Sequence, residues 1–354
     1  MRNEYVVAGI ILVSVGIGLA IVFAAPMTEK MPVIGDIFAE ERYKEITNPA
    51  GFVNTSGITI GELVGKKVVL VDFLTYSCIN CQRTFPYLNA WYKKYKDQGL
   101  EIIGIHTPEF AFEKDIENVR RAMNQFGIVH PIVLDNDYAT WRAYGNQYWP
   151  RKYLIDIRGD IVYDHIGEGA YEETEMKIRE LLGERAKVLG EGEMPNEVPL
   201  AASEISKIQN FAQSPETYFG SKRNEYLANG LVGRPGVQTL KLPATFKPNA
   251  LYLGGTWNFT PEHAAATTGA SVVYRYYGKE VYIVASSETP VGMEVWQDGK
   301  LIGAEAGEDV DKNGIVTVQA SRLYKLIRNP EAGDHVLELR IKDPGALLFA
   351  FTFG

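Results

Sequence analysis

Residues 67–86 read KVVLVDFLTYSCINCQRTFP. The opening, Lys67–Phe73, is an apolar, valine-rich run of strand length and reads as a buried strand. From Thr84 to Tyr95 the residues Phe85, Leu88, Tyr92 and Tyr95 recur at helical spacing. Cys78 and Cys81 sit where strand hands over to helix. A cysteine there feels the positive end of the helix dipole and free backbone N–H groups, which stabilise its thiolate. The second cysteine, one turn on, is placed to resolve a mixed disulfide formed by the first. The spacing therefore assigns Cys78 as nucleophile and Cys81 as resolving thiol. A zinc site would need four ligands; the chain has two cysteines, and His106, His130 and His165 are not at ligand spacing. A purely structural disulfide would close a two-residue loop and gain little chain entropy.

Strands and helices alternate outward from this stretch. Leu100–Ile105 reads as a second buried strand, and Asp115–Phe126 as an amphipathic helix that Gly127 ends. Pro131–Leu134 and Asp137–Tyr144 repeat the strand–helix unit. Tyr153–Ile157 and Ile161–Ile166 make a hairpin around Arg158-Gly159-Asp160, and Tyr171–Leu182 is a last helix. The fold expected for residues 61–183 is an α/β domain, a mixed sheet with helices on both faces. Residues 184–238, rich in Gly, Pro and Glu, read as a linker with some structure. Residues 239–354 carry short strands with turn signals between them: Ser271–Tyr277, Glu280–Ala285, Gly292–Gln297, Ile315–Gln319, His335–Ile341 and Leu347–Phe353. Asp298-Gly299 is a hairpin signal. An all-β sandwich or jelly roll is expected there.

The chain of 354 residues has a formal net charge of −8. That balance argues against sequence-independent nucleic-acid binding, which needs a basic footprint. Residues Tyr5 to Ala25 read YVVAGIILVSVGIGLAIVFAA, without a charge. At helical rise the run spans about 30 Å, one hydrocarbon core. It predicts a single transmembrane anchor at 5–25, with a cleaved signal peptide as the alternative. Arg2 and the α-amino group outweigh Glu4, while Lys30 lies among Glu29, Asp36, Glu40 and Glu41. The positive-inside rule then places the soluble domains outside the cytoplasm, on a single-pass protein of the cell membrane. Residues 26–60 are expected to form a stalk and docking segment.

Val71-Asp72-Phe73, Cys78, Cys81 and Pro86 resemble the thioredoxin superfamily in register. The resemblance implies a thioredoxin-like fold for 61–183 and a buried acidic residue, Asp72, that accepts the proton of the resolving thiol. Burial raises a carboxyl's pKa, which suits that task; a core carboxylate without catalytic role is the plainer reading. The resemblance also implies a cis-proline opposite the dithiol, and Pro150 in Tyr148-Trp149-Pro150 matches it. The gap from Cys81 to Pro150 exceeds that of plain thioredoxin. It implies an inserted strand–helix unit, as in TlpA-like and ResA-like proteins, supplied by 106–110 and Asp115–Phe126. Glu109 follows a buried strand and is a candidate for tuning proton transfer at the dithiol, or else a solvated loop carboxylate. Tyr76 and Trp149 flank the active-site segments as groove or packing aromatics.

Longer runs, 75–81, 106–110, 135–141, 214–218, 322–324 and 350–354, resemble the soluble region of DipZ-type cytochrome c biogenesis proteins. That resemblance implies a thioredoxin-like domain followed by a carbohydrate-binding-module-like β domain. DipZ proteins also carry a multi-helix electron-transfer membrane domain. This chain has one hydrophobic segment, so a separate electron donor of the CcdA type is implied.

The expected function is reduction of disulfides in exported proteins or apocytochromes. The redox-active pair Cys78–Cys81 would be the working group, with no other cofactor and no metal. Ile79-Asn80 between the cysteines lacks the Gly-Pro of thioredoxin and any cation that would strongly stabilise the thiolate, which predicts a reducing pair. Two alternatives are a disulfide-inserting oxidase and a cell-surface binding protein that works through its β domain. Trp257 and Trp296 are candidate sugar platforms there, although aromatics also fill sandwich cores. Residues 309–314, DVDKNG, imitate half a calcium loop. The twelfth position is Ala320, where a bidentate Glu is required, so a hairpin turn is the reading.

Overall fold

The computed structural model describes residues 41–192, 213–267 and 269–354. The apolar run 5–25 and the stalk to residue 40 lie outside the described residues. Among the described residues no helix is long and apolar enough to cross a membrane.

The first domain runs β1 (Glu41–Arg42), β2 (Gly51–Val53), β3 (Val68–Leu74), α1 (Ile79–Tyr95), β4 (Leu100–His106), α2 (Ile116–Gln125), β5 (Ile132–Leu134), α3 (Ala139–Ala143), β6 (Arg151–Ile155), β7 (Asp160–Ile166) and α4 (Tyr171–Leu189). Its strands pair in the order β1-β7-β6-β3-β4-β5-β2. The β3–β4 and β4–β5 pairs are parallel and the others antiparallel, which is the mixed sheet expected. Strand alternation sorts the side chains of β3 onto two faces. Val68, Leu70 and Leu74 pack with Phe85, Leu88 and Trp91 of α1 and Leu181 of α4. Val69, Val71 and Phe73 pack with Trp141 and Tyr144. Each fully buried side chain of this size stabilises by about 1.5–3 kcal/mol, so β3 is anchored from both sides.

The docking segment is more than a surface strap. It adds β1 to one edge of the sheet and β2 to the other, and lays Tyr43, Ile46, Phe52 and Ile58 over the α3 face. Helix α4 runs past the expected end at Leu182. It stops at Gly190, whose φ of 70° is left-handed and suits glycine.

The second domain contains β8 (Thr217–Tyr218), β9 (Gly236–Leu240), β10 (Leu251–Phe259), β11 (Ala264–Ala266), β12 (Ala270–Ser286), β13 (Val291–Gln297), β14 (Lys300–Leu301), β15 (Ile315–Val318), β16 (Arg322–Ile341) and β17 (Leu347–Phe353). Two of these strands begin inside the stretch expected as linker, 184–238. β8 pairs with β17, and β9 with β10. They are short, and Pro and Gly hide their pattern; their hydrogen-bond partners come from distant chain. The expected strands Ser271–Tyr277 and Glu280–Ala285 are one strand, β12, with a register shift between Gly278 and Glu280 against β16. Before that shift β12 also pairs with β10, and after it with β17. The all-β expectation therefore holds as an antiparallel network of ten strands among the described residues. The long strands each serve in more than one pairing, so hydrogen bonds join what was expected as separate sheets.

The β domain docks on the N-terminal end of α1, next to Cys78. Phe349 packs edge-on against Phe110 and Phe112, with ring centroids 5.1 and 4.9 Å away. Ile79, Tyr282, Val284 and Leu323 complete this buried cluster. Polar contacts frame it. Arg83 of α1 pairs with Glu280 at 3.4 Å and donates to the Tyr282 hydroxyl at 3.3 Å. The Tyr76 hydroxyl donates to the Ser321 carbonyl at 3.0 Å. Phe349→Ala is expected to lower stability by about 3–5 kcal/mol, since it opens a cavity in this cluster. A chemical denaturation midpoint reads the change, and an unmoved midpoint would show that this ring does not hold the two domains together.

Candidate active site

Cys78 is the N-cap of α1, with extended φ of −77° and ψ of 121°. Its carbonyl accepts the first helical bond from the Gln82 N–H at 3.0 Å. The side chain makes no capping bond, so the sulfur is left to the surface. Both thiols are free. Cys78 is half-buried, its sulfur 3.9 Å from the Trp149 carbonyl oxygen. The Trp149–Pro150 bond is cis, as the thioredoxin-superfamily resemblance implies. The indole N–H of Trp149 donates to the Thr107 carbonyl at 3.1 Å, which fixes this loop beside the dithiol.

Cys81 is fully buried in the first turn of α1. Burial, and then its hydrogen bond with Cys78, push its thiol pKa well above the ordinary value. A thiol held protonated in this way needs a base before it can act as a nucleophile. Asp72 lies on β3, on the α1 side of the sheet, and is also fully buried. Neither of its carboxylate oxygens has a hydrogen-bond partner in the protein. Burial pushes its pKa up to about 7, against the pull of Lys152. That value suits a group that accepts a proton near neutrality.

Two charged residues matter here that the sequence analysis does not single out. Lys152 of β6 stands directly across from Asp72 in register and is fully buried, its ammonium donating to the Gly167 carbonyl at 3.2 Å. Burial lowers its pKa while Asp72 raises it. Strand alternation carried the signal, because Lys152 shares a face with the core residue Leu154. Glu113 is the other. It is fully buried and accepts from the Ser77 hydroxyl at 2.5 Å, and from the backbone N–H groups of Glu109 at 2.6 Å and Phe110 at 3.0 Å. It ties the turn before Cys78 to the inserted segment. Nothing in Phe112-Glu113-Lys114 as sequence distinguishes this glutamate from a surface one.

Glu109 lines the same groove as Cys78, and its carboxylate is held by the second domain. The Tyr218 hydroxyl reaches Glu109 Oε1 at 2.8 Å, and Arg223 pairs with it at 2.7 Å. The groove has a volume of about 400 Å³. Cys78, Glu109 and Trp149 line one side; Glu216, Tyr218 and Phe353 of the β domain line the other.

The aromatic sugar platforms fare differently. Trp257 is fully buried, with its indole N–H given to the Gly254 carbonyl at 2.9 Å, so it is a core residue. Trp296 is partly exposed, and the Arg340 guanidinium covers its ring at 3.7 Å. The calcium-like run is a turn: Asp311 Oδ1 accepts from the backbone N–H groups of Asn313 at 2.8 Å and Ile315 at 2.9 Å.

Residues 41–182 match the Redoxin family, and residues 214–354 match the family described as Thioredoxin like C-terminal domain. The thiol-disulfide oxidoreductase ResA of Bacillus thuringiensis is 35% identical over 124 residues, 35% of this chain and 68% of that protein. The chain belongs to the thioredoxin superfamily. Protein DipZ of Mycobacterium bovis is 35% identical over 308 residues, covering 86% of this chain and 41% of that protein. The thiol-disulfide oxidoreductase YkuV of Bacillus subtilis is 28% identical over 140 residues, 40% of this chain and 93% of that protein. This thioredoxin-superfamily chain is thus a homologue of thiol–disulfide oxidoreductases, and it spans about two fifths of the length of the DipZ proteins it matches.

Proposed function

We propose that this chain is a thiol–disulfide oxidoreductase that reduces disulfides in exported proteins, apocytochromes among them. The observation that carries the reading is the asymmetry of the two thiols. Cys78 opens a helix in a groove that a substrate can enter, while Cys81 is shut in beside a buried carboxylate. The Cys78 thiolate attacks one sulfur of a substrate disulfide, forming a mixed disulfide and expelling the other sulfur as a thiolate. Asp72 then takes the Cys81 proton. The Cys81 thiolate attacks Cys78, the mixed disulfide breaks, and the reduced substrate leaves as Cys78–Cys81 becomes a disulfide. Two electrons and two protons from a donor dithiol restore the pair. A separate membrane protein of the CcdA type is the proposed donor, and the run 5–25 would hold the chain at the membrane surface where both meet.

The β domain builds one wall of the groove and packs against α1. That favours a role in shaping substrate access over service as an independent binding module. The direction of electron flow is tested by the reduction potential of the full-length chain, equilibrated in thiol/disulfide buffers with free thiols trapped by alkylation. A value near or below about −230 mV is expected for a reductase. A value near about −120 mV would overturn that direction and leave disulfide insertion as the activity.

A further inference from the structure

In the groove that Cys78 opens on, four residues form a chain of contacts that both domains share. Arg223 Nη1 is 2.7 Å from Glu109 Oε1, which is 2.8 Å from the Tyr218 hydroxyl, which is 2.6 Å from Glu216 Oε2. The Thr352 hydroxyl reaches the other Glu216 oxygen at 3.4 Å. Arg223 also stacks on the Tyr218 ring, its guanidinium carbon 3.6 Å from the centroid. A tyrosine hydroxyl has one hydrogen, and here it lies between two carboxyl groups. It can donate to only one of them. The other contact is a hydrogen bond only if that carboxyl brings a proton of its own. The Arg223 cation pairs with Glu109, and among the described residues no cation pairs with Glu216. The proton therefore belongs to Glu216, which donates to Tyr218, which donates to Glu109.

Burial and the nearby charge of Glu109 both raise the Glu216 carboxyl pKa above its ordinary range. The residue is open to the groove, so water screens part of this push. The hydrogen count gives the same result without it.

We propose that Glu216, a residue of the β domain, is the acid of the substrate groove, donating its proton to the thiolate that leaves when Cys78 attacks a substrate disulfide. This rests on the thiol–disulfide exchange reading above. The balance is simple. The sulfur–sulfur bond of the substrate breaks, a bond from Cys78 sulfur to one substrate sulfur forms, and the departing sulfur takes the Glu216 proton as a thiol. Glu216 is left as a carboxylate beside Glu109, an unfavourable pair that draws a proton back from solvent before Cys81 attacks. Attack by Cys81 on the mixed disulfide releases the second sulfur, which takes its proton the same way.

The test uses the leaving group. Reduced full-length chain, in detergent, is mixed with oxidised glutathione, whose thiolate leaves poorly without a proton, or with 5,5′-dithiobis(2-nitrobenzoate), whose aromatic thiolate is stable unprotonated. At about pH 6, Glu216→Gln is expected to slow the glutathione reaction by about tenfold or more. The aromatic reaction should hold within about twofold, which also reports that the variant is folded. The ratio of parent to variant with glutathione, divided by the same ratio with the aromatic disulfide, should fall towards one as pH rises and Glu216 loses its proton. Equal rates of parent and variant with glutathione would overturn the proposal, as would the same loss with both disulfides. A parent chain that reacts with neither disulfide would instead remove the exchange reading itself.

Discussion

At about pH 8 the Asp72→Asn chain is expected to be more stable than its parent by about 4 kcal/mol, and to resolve mixed disulfides about a hundredfold more slowly. The stability follows from burial. The folded protein raises the Asp72 pKa from 3.8 to about 7. Three pH units at about 1.4 kcal/mol each give the figure. The sign follows from proton linkage. A raised carboxyl contributes stability fully present below the unfolded value, and that contribution is lost as pH rises through the folded value. Asparagine carries no charge and escapes the loss. The two proteins should therefore have similar denaturation midpoints at about pH 4 and diverge up to about pH 7. Lys152 moderates the gain, because in the variant its buried ammonium loses the Asp72 carboxylate opposite it. A variant that becomes less stable than its parent as pH rises would mean that the Asp72–Lys152 pair is worth more than the dehydration of its carboxylate. The slower resolution has a separate cause. Burial holds the Cys81 proton tightly, and an amide cannot accept it. Release of substrate in the parent should quicken as pH approaches 7 and then level off; the variant should lack that rise.

The proposed redox pair was legible because the signal for it is local. One strand, one turn and one helix place Cys78 and Cys81, and the apolar pattern of 67–95 marks all three. Asp72 and Pro150 came from register with a superfamily and fall where the sheet brings them, on the strand under α1 and in the loop that faces the Cys78 sulfur. Glu109 was legible as a candidate only. What it touches, Tyr218 and Arg223, lies more than a hundred residues on, and no local pattern announces such a pairing. Glu216 and Glu113 escaped for the same reason, since an isolated glutamate reads as solvated until the fold surrounds it. Lys152 could have been found, because an inward position on a buried strand is an odd place for an ammonium. The β domain shows the converse limit. Evenly spaced short strands and turn signals gave its class, yet the tryptophans named there as ligand platforms are a core residue and a ring under an arginine. Periodicity places a side chain on a face and leaves open what covers that face.

Loss of the Cys78 sulfur is expected to abolish exchange altogether, whereas loss of Cys81 should stop it halfway. The difference comes from exposure: Cys78 opens on the groove, and Cys81 is fully buried beneath it. In Cys78→Ser no thiol can reach a substrate, so disulfide reduction should fall to the uncatalysed rate. In Cys81→Ser the first attack proceeds and the resolving attack has no nucleophile, so the mixed disulfide accumulates. Mass spectrometry of each full-length variant, reduced and then mixed with a disulfide-bearing protein such as insulin, reads this directly. The predicted result is a covalent adduct through Cys78 in Cys81→Ser and none in Cys78→Ser. An adduct through Cys81 in Cys78→Ser, formed as fast as the other, would contradict the assignment of the two thiols.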